Sequence, residues 1–68
     1  MSAALIAHAR WARRKQLKRD IEDATLARQY LRTVAKDRDN HGDRRGHDLA
    51  LTAMVAIDDV IDHLEARL

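Results

Sequence analysis

Cysteine, proline and phenylalanine are missing from this chain, and only two of its 68 residues are glycine. Without cysteine there are no disulfides and no thiolate metal sites, and the usual argument for secretion falls away. With Trp11 and Tyr30 as the only aromatics, a core has to be assembled from Leu, Ile, Val and Ala. The lack of proline leaves long stretches that nothing interrupts as helix. No run approaches the roughly 20 apolar residues that span a membrane, so no transmembrane segment is expected. The opening Ala3-Ala4-Leu5-Ile6-Ala7 run precedes its basic residues, the reverse of a secretory signal. An acid-free, Arg-rich start is also that of an organelle transit peptide, but removing it would leave a remnant too small to fold easily. Cytoplasm is the expected location. Heavy use of alanine, and of arginine over lysine, fits a high-GC bacterium or its phage.

Chemistry is scarce as well. The one serine, Ser2, makes a Ser–His–Asp triad improbable, and cysteine nucleophiles are excluded. There is no glycine-rich phosphate loop and no H-E-x-x-H zinc helix. Asp58, Asp59, Asp62 and Glu65 cluster, but paired carboxylates need desolvation to separate their roles, and two helices offer little to exclude water. The expectation is a non-enzymatic protein with no catalytic residue, no cofactor and no resident metal.

What is present is charge, unevenly placed. Every charged residue before Asp20 is basic: Arg10, Arg13, Arg14, Lys15, Lys18 and Arg19. Near the C-terminus, Asp58, Asp59, Asp62 and Glu65 are offset by Arg67 alone, so a net charge of +2 conceals a basic end and an acidic end. Such a chain can bind an anion, an acidic partner or itself.

The pattern predicts an all-α fold: an antiparallel helical hairpin occupying residues 1–68 as a single domain. Helix formers run from Ser2, a natural N-cap, to about Arg38, and Leu17, Ile21, Ala24, Ala27, Leu31, Val34 and Ala35 give one apolar stripe. A polar loop follows over about 39–47, closed on the left by Asn40 or Gly42 in a left-handed conformation. Asp48 is then placed to cap a second helix over about 48–67, with an inner stripe of Leu49, Ala53, Ala56, Ile57, Val60, Ile61, Leu64 and Leu68. A short loop between helices implies antiparallel packing.

Two features point to self-association. Leu51, Met54 and Val55 lie off that inner stripe, so the start of the second helix is apolar almost all round. The first helix is also the longer by far, leaving Ala3 to about Gln16 overhanging with Leu5, Ile6 and Trp11 uncovered. A homodimer forming a four-helix bundle would cover both, with Leu5, Ile6, Leu17, Ile21, Leu51, Met54 and Val55 as its interface. A chain this short has little core of its own.

For function, two readings stand. The first is a small interaction protein, a regulator, adaptor or inhibitor, that self-associates and binds a larger macromolecule. Folding back would bring Lys18 and Arg19 near Asp62 and Glu65, making the charge blocks complementary surfaces that set register. The second is DNA or RNA binding. Arg14, Lys18, Arg32 and Lys36 share one face of the first helix with Thr25 and Gln29 between them, and Trp11 and Lys15 flank it. Lys and Arg interleaved with hydrogen-bonding side chains suit a phosphate backbone, with Trp11 available to stack on a base. No recognised nucleic-acid-binding signature accompanies the stripe. Arg10 belongs to the same basic segment, and Arg44 and Arg45 add a basic loop tip that suits phosphate or an acidic protein.

Three further readings are weaker. The stretch Asp37 to Asp48 begins like a calcium loop, with acids at positions one and three and glycine at six, but histidine at five and Arg44 and Arg45 at eight and nine oppose it. His41 and His47 with neighbouring acids offer adventitious metal binding at most. Residues 3–19 could lie on an anionic membrane, but Arg13 falls on the same side as Ile6 and Leu17 and interrupts the apolar face.

Overall fold

The structure, a computed structural model, describes residues 2–68 and contains two helices, α1 (Ala3–Asn40) and α2 (Arg44–Glu65). Among the described residues there is no strand, and no helix is long and apolar enough to cross a membrane. The helices pack antiparallel as a hairpin. The molecule measures 60 × 14 × 11 Å with a radius of gyration of 17.2 Å. A compact chain of this length would have about 11 Å, so this is a rod.

Ser2 caps α1 as its sequence implies: its Oγ accepts from the Leu5 backbone N–H at 3.3 Å. At the far end α1 closes with a Schellman arrangement. The Asp43 N–H donates to the Arg38 carbonyl at 2.8 Å and the Gly42 N–H to that of Asp39 at 3.0 Å. Gly42 takes φ +73°, the left-handed conformation that glycine adopts without a Cβ penalty. The connection is therefore His41, Gly42 and Asp43 alone, far shorter than residues 39–47.

The cap of the second helix lies five residues before Asp48. Asp43 is its N-cap, its carboxylate accepting from the Gly46 N–H at 2.9 Å. Gly46, which reads as a helix breaker, lies inside the first turn because a side chain there would collide with the Asp43 carboxylate and crowd Arg38 Cδ at 3.1 Å. Asp48 sits one turn further on. The twelve residues from Asp37 are thus mostly helix, without the irregular backbone a calcium loop needs. Among the described residues no group of three His, Asp or Glu side chains converges as metal ligands would.

The inner face also differs from the expected one. On α1, Leu17, Ile21, Ala24, Leu31 and Val34 are half-buried and Ala35 is buried, while Ala27 is exposed. On α2 the buried residues are Ala50 and Met54, flanked by half-buried Ala53, Ile57, Ile61 and Leu64. Leu49, Ala56, Val60 and Leu68, assigned to the inner stripe, are exposed. The apolar band of α2 is wider than one partner helix can cover, so its own pattern does not choose which part turns inward. Met54 is consequently a core residue of the hairpin, and Leu17 and Ile21 are already half-covered by it. The core is sparse: among the described residues Ala35, Ala50 and Met54 are the only buried hydrophobics, and no side chain is fully enclosed.

Candidate functional site

Antiparallel helices with a short turn leave two broad sides, one above and one below the plane of their axes. At about 3.6 residues per turn, Ala27, Tyr30 and Val34 of α1 fall on the same side as Leu49, Ala53, Ala56 and Val60 of α2. The groove lined by Gln16 and Asp20 with Leu64 and Arg67 opens on this side too. Thr25, Gln29, Arg32 and Lys36 fall on the opposite side, with Leu51, Val55, Asp58 and Asp62. The Arg28 to Asp58 ion pair, Nε to Oδ1 at 2.5 Å, bridges the helices on this second side. The first side is the more apolar, with Asp20 and Asp23 as its charged part: Tyr30 is 70% exposed, Leu49 56% and Val60 49%. The second is charged, with Leu51 and Val55 as its apolar part.

Beyond the end of α2, residues 3–16 of α1 continue as a single unaccompanied helix, and every one of their side chains is exposed. This arm holds Leu5, Ile6, Arg10, Trp11, Arg14 and Lys15, with Lys18 at the start of the paired region. Trp11 is its organising side chain. Lys15 Nζ lies 4.9 Å from the ring centroid, within range of a cation–π attraction, and His8 stacks at 6.0 Å with the rings inclined by 29°. Trp11, Arg14, Lys15 and Lys18 line one shallow groove, and Trp11, Lys15 and Arg19 border another on the adjacent side. These residues carry no acid among them.

The predicted contact residues therefore form two groups. Arg10, Trp11, Arg14, Lys15 and Lys18 gather on the arm. Arg32, Lys36, Arg44 and Arg45 lie at the turn, and 18 residues of helix put Arg32 about 27 Å from Arg14. The second group is not purely basic. Arg44 Nε approaches Asp48 at 3.8 Å, and Arg38 bridges Asp37 at 3.1 Å and Asp43 at 3.7 Å. Lys36, Arg38, Arg44 and Arg45 are matched there by Asp37, Asp39, Asp43 and Asp48. Electrostatically, the arm is the concentrated site, while at the turn only Arg32 is in excess of the four matched pairs.

The expected pairing of Lys18 and Arg19 with Asp62 and Glu65 is not made: among the described residues the ion pair linking the paired helices is Arg28 to Asp58. Asp58, one of the clustered acids, is half-buried and turned to Arg28 of α1. Asp59, Asp62 and Glu65 remain exposed along the middle of the rod. The acidic end of the sequence is thus not an end of the molecule, because the hairpin folds it back beside the base of the arm.

Sequence reasoning passed over Arg13 and Arg67. With Arg10, Arg14, Leu17 and Leu68 they border an open cleft of about 370 Å³ where the last turn of α2 meets the arm. The signal was present: Arg13 shares a side with Ile6 and Leu17, which is the side α1 turns to its partner. Compared with known protein families, curated proteins and solved structures, the chain matches none.

Proposed function

We propose that this chain is a small non-enzymatic interaction protein, a helical hairpin that self-associates through its apolar side and engages a larger macromolecule with its basic arm. The observation that carries the reading is the mismatch between apolar surface and core. Three residues are buried, while Leu5, Leu26, Tyr30, Leu49, Val55 and Val60 are each about half exposed or more. A lone two-helix rod of this size has too little buried area to hold itself together. A second copy laid against Tyr30, Val34, Leu49, Ala56 and Val60 gives the four-helix bundle, and the alanines at 53 and 56 let the helices approach closely. This side is preferred to the one holding Leu51 and Val55, where Arg32, Lys36 and Asp58 would have to be desolvated.

Sedimentation equilibrium tests the reading. The wild-type chain is expected to be a dimer, and Val60→Asp to weaken it about a hundredfold or more, since a two-fold interface buries the new charge twice. Leu51→Asp is expected to leave the dimer intact. A chain that stays monomeric and fully helical at all concentrations sinks the self-association. Dissociation by Leu51→Asp with Val60→Asp unaffected moves the interface to the charged side.

The second reading, DNA or RNA binding, is favoured by one observation. Trp11 is more than half exposed on a helix with no neighbour, amid grooves lined with Arg14, Lys15, Lys18 and Arg19. An aromatic face in a basic setting is the minimal platform for an unstacked base and its phosphates.

A further inference from the structure

At the end of α2 the seam between the helices changes character. Along the paired length the positions of α1 that face α2 include Leu17, Ala24, Leu31 and Ala35, all half-buried or buried. The same register carried towards the N-terminus falls on Arg13 and Arg10. Arg67 comes up against them from the turn that follows α2, and Arg14 completes the rim of the 370 Å³ cleft beside Leu17 and Leu68. No acidic side chain lines it, and among the described residues none of the four guanidiniums forms an ion pair. Asp20 lines the neighbouring groove together with Arg13 and Arg67, and accepts from Gln16 Nε2 at 2.8 Å.

Four like charges gathered where two helices close oppose the docking of that last turn, and apolar residues would close it better. An anion between them reverses the sign of that cost. Guanidinium forks match phosphate oxygens in bidentate pairs, which a point-charge ammonium does not. We propose that this cleft binds a multiply charged phosphate group, carried by a small di- or polyphosphate or by a nucleic-acid backbone. The site lies at the base of the arm, with Arg67 two turns beyond Val60 on the same side. The melting is therefore compared at one chain concentration, with the oligomeric state of wild type and Arg67→Gln checked by sedimentation, which separates failure of this site from failure of the self-association proposed above.

Thermal unfolding followed by circular dichroism tests it, with pyrophosphate as the probe and sodium chloride at matched ionic strength as the control. Pyrophosphate at roughly five times its Kd is expected to raise Tm by about 4–8 °C above the chloride control. Arg67→Gln, an exposed position that the fold does not need, is expected to remove most of that rise. The same variant without phosphate is expected to melt slightly higher than wild type, because one repelling charge is gone. An equal rise with chloride means simple screening and overturns the site. A full pyrophosphate response in Arg67→Gln overturns it as well, by locating the anion elsewhere on the arm. A thymidine octamer separates the two sources: a comparable rise at much lower concentration assigns the phosphate to a polymer, and a response to pyrophosphate alone assigns it to a free ligand.

Discussion

The two parts of α1 follow different rules. From Leu17 to Arg38 the helix has a partner, and its facing positions are small or aliphatic with Asp20, Arg28 and Arg38 at the margins. From Ala3 to Gln16 it has none, and the same register turns to arginine. Helix propensity does not distinguish the two, since alanine, leucine, lysine and arginine sustain helix in both. The difference lies in what the surface is for. Apolar periodicity records where a chain meets another helix, and its replacement by arginine within an unbroken helix records where it meets something charged.

The largest effect that can be forced on this contrast is loss of the paired part. Met54 is buried at the middle of the seam, and Met54→Asp places a carboxyl group there that costs about 2–7 kcal/mol even when neutral and unpaired. So sparse a core cannot absorb that, and the far-ultraviolet helical signal is expected to collapse. Retained helicity would mean that the seam contributes little and that helix propensity or association holds the rod.

A smaller change touches the arm alone. Arg14→Glu combined with Lys18→Glu is expected to leave the dimer and its helicity intact while abolishing any binding of duplex DNA at low salt. In the wild type, Trp11 fluorescence would report such binding, and its log–log salt slope would reflect the phosphates neutralised, roughly one per basic contact. If the double variant instead loosens the oligomer, the arm is a complementary surface for the acidic middle of a second copy, and Asp62→Lys should partly restore it.

The smallest change concerns the turn that joins the two parts into one rod. Gly42→Ala meets no neighbouring atom but must hold φ +73°, so it is expected to cost about 1 kcal/mol and lower Tm by about 4–8 °C without altering association. A melting point equal to wild type would show that the turn can open without consequence for the pairing of α1 and α2.

Much of the fold was legible because its determinants are local. Ser2, the unbroken run to Asn40 and the glycine in the turn each act within a few residues, and each has its expected role in the structure. The start of α2 was not, because Gly46 is a poor helix former retained for a tertiary reason: the space between Asp43 and Arg38. The inward side of α2 was misjudged for a related cause. Its apolar residues surround most of the helix, so the choice of Ala50 and Met54 over Leu49 and Val60 is made by the narrower stripe of α1. At the site, the exposure of Trp11 and the basic arm could be read from the mismatch in helix lengths. The convergence of Arg67 on Arg10 and Arg13 could not, since it depends on where the last turn of α2 lands. Arg28 with Asp58 was missed for the same reason, being 30 residues apart and brought together only by packing.

The 60 Å length of the rod has a consequence for kinetics. Its basic arm, acidic middle and near-neutral turn are laid out along one axis, and the arm stands farther from the turn than the Debye length of about 10 Å at 0.1 M salt. A polyanion that comes within a Debye length of the rod therefore responds to the charge of the segment it approaches rather than to the net +2, and productive encounters begin at the arm. Association should accordingly be fast and steeply slowed by salt, while dissociation, governed by contacts already formed, changes much less.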